Sequence, residues 1–224
     1  MRDTELFRGL LTPEYERIFN LARKKSIEEG AFYFMEGYPA SSVFLLVEGK
    51  VKLLQVTSQG QQVIHDYVSR GEVFGIVAVL SEALYPVSAQ ATKDCLALSW
   101  NEENFNQLIE ELPLIARNIN RILIQKIKVY QDRIRELATQ RVERRIARTL
   151  LRLAQQTGRK TENGVLIDIP LTRQDLAEMT GTTLFTVSRI LKQWESKGLI
   201  LSKRAQVVIR YPHGLVSIAE DLVA

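Results

Sequence analysis

Cysteine is almost absent from this 224-residue sequence, and its scarcity closes several routes to function. With Cys95 as the only thiol, an intrachain disulfide and a cysteine-only metal site are both excluded, because each needs more than one thiolate from the chain. Cys95 itself reads as inert core. Long apolar runs are missing as well. The longest, Val73–Leu80, contains a glycine and is far too short to cross a bilayer. Residues Met1–Leu11 carry Arg2, Asp3, Glu5 and Arg8 where a secretory leader would be apolar, which predicts a cytoplasmic protein. No phosphate-cradling glycine loop, metal-ligand cluster or nucleophile motif appears, and there are only two histidines, so the chain does not read as an enzyme.

What is present is an ordinary globular composition, 46% hydrophobic and 25% charged, in a chain long enough for two domains. The net charge of +4 is unevenly placed. Residues 1–139 hold 16 basic and 18 acidic side chains, a net −2, whereas residues 140–224 hold 14 and 8, a net +6. The basic portion is the one expected to meet a polyanion, since neutralising phosphates supplies most non-specific affinity for DNA.

Residues 4–24 carry apolar side chains at helical spacing and predict short amphipathic helices that brace the domain behind them. From Ser26 to Trp100 the texture changes to short β-branched and aromatic runs, such as Val43–Val47, Val51–Val56 and Gln62–Val68. Gly30, Gly37, Gly49, Gly60 and Gly71 punctuate them, which predicts an antiparallel sandwich or barrel. Helical spacing returns over Asn101–Leu112, and after Pro113 a helix is expected to run to about Ala138. Leu123, Ile127, Tyr130, Ile134 and Leu137 recur in it at alternating spacings of four and three, a coiled-coil seam that would pair two copies in parallel. The alternative is a helix packed on its own domain. A domain boundary is expected near Thr139. In the helix predicted over residues 140–157, Arg141, Arg145, Arg148 and Arg152 read as a solvated face. Gly158–Gly164 reads as a loop and Val165–Ile169 as a strand closed by Pro170.

The most informative segment is Leu171–Ile200. Thr172 followed by Asp175 forms a capping box that opens a helix over Arg173–Thr180. Gly181 can end that helix in the left-handed conformation, and Thr182 or Thr183 can cap the next. Ala177 lets the two helices cross closely, while Leu176, Val187 and Ile190 fix the crossing. These are the constraints of a helix-turn-helix. The outward face of the second helix then displays Thr183, Leu184, Phe185, Ser188, Arg189 and Lys192. Arg189 has the fork that pairs bidentately with guanine, and Leu184 and Phe185 suit thymine methyl groups. Thr172, Arg173, Gln174 and Thr186 are placed for phosphate contacts, and Thr182 counts among the expected DNA-binding residues. The competing assignments are an ion pair for Arg189 and a core position for Phe185. Leu199–Leu201 and Gln206–Arg210 read as two strands around a basic turn at Lys203–Arg204, the wing of a winged helix.

On these residues the chain resembles the CRP/FNR family of bacterial transcription regulators, the cyclic AMP receptor protein and fumarate-nitrate reduction regulator group. The resemblance rests on Phe44–Gly49 (FLLVEG), Gly71–Gly75 (GEVFG), the long helix, Arg144–Ala154 (RRIARTLLRLA) and TRQDLAEMTG…TVSRILK. It implies an α+β architecture: a cupin-like antiparallel β-roll sensor domain over residues 1–112, a dimerisation helix over 113–139, and a winged helix-turn-helix DNA-binding domain over 140–224. It further implies a homodimer on a palindromic double-stranded operator, with RNA polymerase as a partner and no membrane.

The departures bear on the signal. Where cyclic-AMP-binding members place a glutamate after the glycine of GEVFG, this chain has Ile76 beside Gly75. Tyr85 and Pro86 stand for the phosphate-binding Arg-Ser pair, and Tyr130 and Gln131 for the adenine-contacting hydroxyl pair. A buried phosphate without its arginine lacks compensation, so these six positions define an effector pocket that is not expected to take cyclic AMP. One cysteine cannot ligate the iron–sulfur cluster of the FNR type. Haem stays open, although His65, the one histidine of the sensor half, reads as a surface or structural residue. A small molecule, or no effector, fits equally well. Many members also carry glutamate where Phe185 stands, so the operator is expected to differ there. The reading from another class is a ligand-binding signalling module acting through a protein partner, against which the basic second half argues.

Overall fold

The computed structural model describes residues 4–81 and 83–222, so the charged Arg2 and Asp3 lie outside the described residues. The chain packs as two compact units, Met1–Val129 and Tyr130–Ala224.

In the first unit a 3-10 turn at Glu5–Phe7 and helix α1 (Thr12–Asn20) precede β1 (Arg23–Ile27), β2 (Phe32–Phe34), β3 (Ser42–Glu48), β4 (Val51–Val56), β5 (Gln62–Val68) and β6 (Val73–Phe74). A short helix α2 (Ile76–Leu80), β7 (Ser88–Ala91), β8 (Cys95–Asn101) and α3 (Glu102–Glu111) follow. Two antiparallel sheets form, ordered β1-β8-β3-β6 and β2-β7-β4-β5. Strand β3 is an unbroken apolar run because both of its faces are covered. Phe44 and Leu46 belong to one core with residues of the other sheet, and Val43 and Leu45 to a second core with the helices. That second core joins Phe7, Ile18, Trp100, Phe105 and, from α4 (Pro113–Thr139), Ile115. Each such side chain contributes about 1.5–3 kcal/mol by leaving water. The Trp100 indole N–H donates to the Ile18 carbonyl at 2.9 Å, and the Asn118 amide donates to the Leu6 and Arg8 carbonyls at 3.0 and 2.9 Å. These bonds fix the N-terminal brace.

Strand β1 was not expected. RKKSI has no apolar alternation, but it pairs through its backbone with β8, from Arg23 opposite Ser99 to Ile27 opposite Cys95. As an edge strand it presents cations that discourage further strand addition. Cys95 is buried as expected, with its thiol donating to the Lys50 and Lys93 carbonyls at 3.3 and 3.1 Å, and burial pushes its pKa up.

Of the five residues expected to form a seam on α4, Ile127, Tyr130, Ile134 and Leu137 are exposed, Ile134 at 67%. Leu123 is half-buried against the first unit's core, because it lies between the stripe and the inward face marked by Ile115 and Ile119.

The second unit begins within α4, earlier than the boundary expected near Thr139. The last turns of α4 are tied to helix α5 (Val142–Thr157) by Glu136, which lies 3.4 Å from Arg148 and 3.9 Å from Arg152. The arginine stripe is therefore not a solvated face, except at exposed Arg141. Arg148 also reaches Glu220 at 3.0 Å, and Arg145 donates to the carbonyls of Gln140, Thr180 and Gly181. Acceptors brought from distant segments decide this, and no spacing within α5 announces them. Gly158–Gly164 also differs from the expected loop. Residues Gly158–Thr161 are strand β9, paired with β10 (Gly164–Ile167), an edge hairpin held by backbone bonds.

Helix α6 (Arg173–Thr180), helix α7 (Leu184–Ser196), the wing strands β11 (Ile200–Lys203) and β12 (Gln206–Ile209) and a closing helix α8 (Pro212–Glu220) complete the unit, with sheet order β11-β12-β10-β9.

Candidate DNA interface and sensor interior

Local chemistry sets the two helices of the motif. The Thr172 hydroxyl accepts from the Asp175 backbone N–H at 3.0 Å, and the Asp175 carboxylate accepts from the Thr172 N–H at 2.8 Å and from its hydroxyl at 2.7 Å. Gly181 ends α6 at φ +59°, and Thr183 caps α7 by accepting from the Thr186 N–H at 3.2 Å. Of the two threonines open to the capping role, Thr183 therefore takes it; the Thr182 N–H donates to the Ala177 carbonyl at 3.0 Å. Leu176, Ala177, Val187 and Ile190 are buried, as the crossing requires. Trp194 anchors the far end, its indole N–H donating to Glu143 at 3.0 Å.

The opposite face of α7 is open. Leu184, Phe185, Arg189 and Lys192 are exposed, and Ser188 and Thr186 are half-buried beside them. Phe185 is 76% exposed, which rules out the core position. Arg189 makes no ion pair among the described residues, which removes the competing assignment to a neighbouring acid. An apolar ring and an unneutralised guanidinium left in water contribute little to folding. Arg173 and Gln174 are exposed at the start of α6, where Gln174 donates to Glu178 at 3.0 Å, while the Thr172 hydroxyl is occupied within the cap. A cavity of about 380 Å³ between α6, α7 and the wing brings Arg173, Gln174 and Leu184 together with Lys203 and Arg204. These two wing cations were legible only as a basic turn and were not among the candidate contacts. They extend the positive surface beyond the helix-turn-helix.

The sensor interior is built differently. Of the residues at the expected effector positions, Ile76 is buried in the helix-facing core, and Tyr85 is buried between the sheets with Phe34, Phe44 and Phe74. Gly75 adopts φ +80°, and a Cβ there would meet the Ser42 carbonyl at 3.0 Å and the Phe34 ring at 3.3 Å. Pro86 is exposed and its carbonyl accepts from Gln55 at 2.9 Å. Tyr130 and Gln131 lie exposed on α4, in the second unit. His65 is half-buried, its Nε2 2.7 Å from the Gln55 carbonyl oxygen Oε1. Among the described residues no group of three or more His, Cys, Asp or Glu converges as a metal site, and no helix is long and apolar enough to cross a membrane.

A nucleotide-binding-type β-roll followed by a winged helix-turn-helix defines a sensor-coupled DNA-binding regulator. The family models agree. Residues 24–112 match the cyclic nucleotide-binding domain, and residues 144–218 match the Crp-like helix-turn-helix domain. The chain is 27% identical over 222 residues to the cyclic AMP receptor protein of Thermus thermophilus, covering 99% of this chain and 100% of that protein. It is 27% identical over 187 residues to the transcriptional activator protein anr of Pseudomonas aeruginosa, covering 84% and 76%. A solved CooA variant from Carboxydothermus hydrogenoformans shares the fold with a TM-score of 0.78 at 22% identity, covering 97% and 96%. The chain belongs to the CRP/FNR family of bacterial transcription regulators, and it is a regulator rather than an enzyme.

Proposed function

We propose that the protein is a cytoplasmic, homodimeric, sequence-specific regulator whose α7 reads a palindromic operator and whose signal is neither cyclic AMP nor an iron–sulfur cluster. The observation that carries this reading is the open face of α7, where Phe185 and Arg189 are exposed and the guanidinium makes no ion pair among the described residues. Arg189, held on a rigid helix, suits the O6 and N7 edge of guanine, and Ser188 suits a neighbouring base edge. Leu184 and Phe185 offer apolar contact to thymine methyl groups. Arg173, Gln174, Lys203 and Arg204 form the phosphate-binding surroundings, which orient the helix without specifying sequence. The capping hydroxyls of Thr172 and Thr183 support the helix ends from which these contacts project.

The exposed stripe of Ile127, Tyr130, Ile134 and Leu137 supports pairing of two α4 helices, with Leu123 at the margin, and a two-fold dimer matches a two-fold operator. Recruitment or blocking of RNA polymerase follows from the family. The absence of a cation at Tyr85 and Pro86 and of a carboxylate at Ile76 argues against a cyclic nucleotide, and Cys95 alone against the cluster. Selection of bound duplexes from a randomised pool tests the reading. An inverted repeat with half-sites about one helical turn apart is expected, and recovery of unrelated duplexes would contradict it.

A further inference from the structure

Tyr85 enters the sensor core from a segment whose neighbouring side chains are exposed. Ala83, Leu84 and Pro86 are all exposed, but Tyr85 between them is only 3% exposed. Its ring stacks on Phe34 at a centroid distance of 3.9 Å and an interplanar angle of 10°, against the cluster of Phe34, Phe44 and Phe74. Its hydroxyl donates to the Ser42 carbonyl at 2.8 Å and accepts from the Ser42 and Ser41 N–H groups at 3.1 and 3.3 Å. The segment is fastened on both sides of the ring, since the Tyr85 N–H donates to the Tyr38 carbonyl and the Gly37 N–H to the Tyr85 carbonyl, each at 2.9 Å. A phenol is thus delivered from the periphery, stacked on an aromatic face, with a polar tip that satisfies three backbone groups at the start of β3. Those are the features of a bound small aromatic ligand: apolar walls and a few convergent polar groups that fix orientation. Beneath it, Gly75 holds φ +80°, and a Cβ there would sit tightly against the Ser42 carbonyl at 3.0 Å and the Phe34 ring at 3.3 Å.

We propose that Tyr85 is a built-in effector: its phenol occupies the aromatic site between the sheets, so the sensor is held in its DNA-binding state without a diffusible ligand. The proposal rests on the DNA-binding reading above and assigns the regulation of that protein. It makes the site specific for a para-substituted phenol, the side chain that the fold itself supplies. Phe34 provides the stacking platform, and the backbone of Ser41 and Ser42 provides the polar end.

The test removes the side chain and returns it as a free molecule. Calorimetry with p-cresol is expected to detect binding to Tyr85→Ala and none to the wild type, and toluene, which lacks the hydroxyl, is expected to bind more weakly. The affinity of full-length Tyr85→Ala for a duplex selected by the wild type should fall by about tenfold and recover with p-cresol, within the range of coupling between two sites. If Tyr85→Ala is unfolded, Tyr85→Leu is used, and a p-cresol-dependent rise in Tm seen only in the variant reports occupancy. A folded variant that ignores p-cresol overturns the proposal. So does one that binds p-cresol with no change in DNA affinity, because the ring would then be only packing. Wild-type protein that binds no duplex would instead contradict the DNA-binding reading, and the p-cresol measurement would stand apart from it.

Discussion

Two aromatic residues mark the difference between the halves of this molecule. Phe185 stands in water on α7, beside an arginine that makes no ion pair among the described residues, whereas Tyr85 lies in the sensor core with its ring stacked and its hydroxyl bonded to β3. Both stand where the family resemblance places a binding residue. In the C-terminal unit the fold leaves that position exposed, with donor and apolar surface facing outward. In the N-terminal unit the fold has absorbed it. A surface kept for a partner contributes little to stability, and a site absorbed by packing contributes much, so the two can be separated by measurement.

The largest effect is expected at the stripe on which both halves depend. Ile127→Lys with Ile134→Lys should give monomers in sedimentation at micromolar concentration and reduce operator affinity by roughly 10³-fold or more, toward the non-specific level. A persistent dimer would show that the pairing surface lies elsewhere.

The next effect sharpens the contrast directly. Tyr85→Ala should cost about 3–5 kcal/mol of sensor stability, as other large-to-small core changes do, whereas Phe185→Ala should change stability by less than about 0.5 kcal/mol. Denaturant unfolding, following each unit's own transition, measures both. Equal losses would remove the distinction between an absorbed and an open site.

Smaller effects separate the contacts within the C-terminal unit. Arg189→Ala should weaken operator binding by roughly 1–3 kcal/mol per half-site with an unchanged melting curve. Arg173→Ala should weaken all duplexes alike and lower the slope of log affinity against log salt by about one unit per lost contact. Titrations at several salt concentrations distinguish the two. The same shallow response from Arg189→Ala would move it to the phosphate group of contacts. In the sensor, calorimetry with cyclic AMP at millimolar concentration should show no heat of binding.

The same contrast governs what the sequence made legible. The helix-turn-helix could be read residue by residue because its signals are local: Thr172 with Asp175, Gly181 and Thr183 each act within four residues of their partners. The β3, β4 and β5 runs were equally plain, since β-branched residues and flanking glycines carry the pattern. What depended on distant partners was hidden. Strand β1 exists through backbone pairing to β8 across some seventy residues, and β9 pairs at an edge with little apolar content. The closing helix α8 was not expected either, although Arg144 and Arg148 both donate to its Ala219 carbonyl. The arginines of α5 looked solvated because Glu136 and Glu220 reach them from other segments. Substitutions at the effector positions pointed away from cyclic AMP, but that Tyr85 would turn inward and bond the Ser42 carbonyl lay beyond any local pattern.

Whether the open face of α7 reads sequence is decided by selection from a randomised duplex pool by the wild type and by Arg189→Ala, with no small molecule added. The wild type should enrich an inverted repeat, and the variant should lose preference at one symmetric pair of positions while keeping the rest. A variant that selects the same repeat as the wild type, position for position, would contradict that reading.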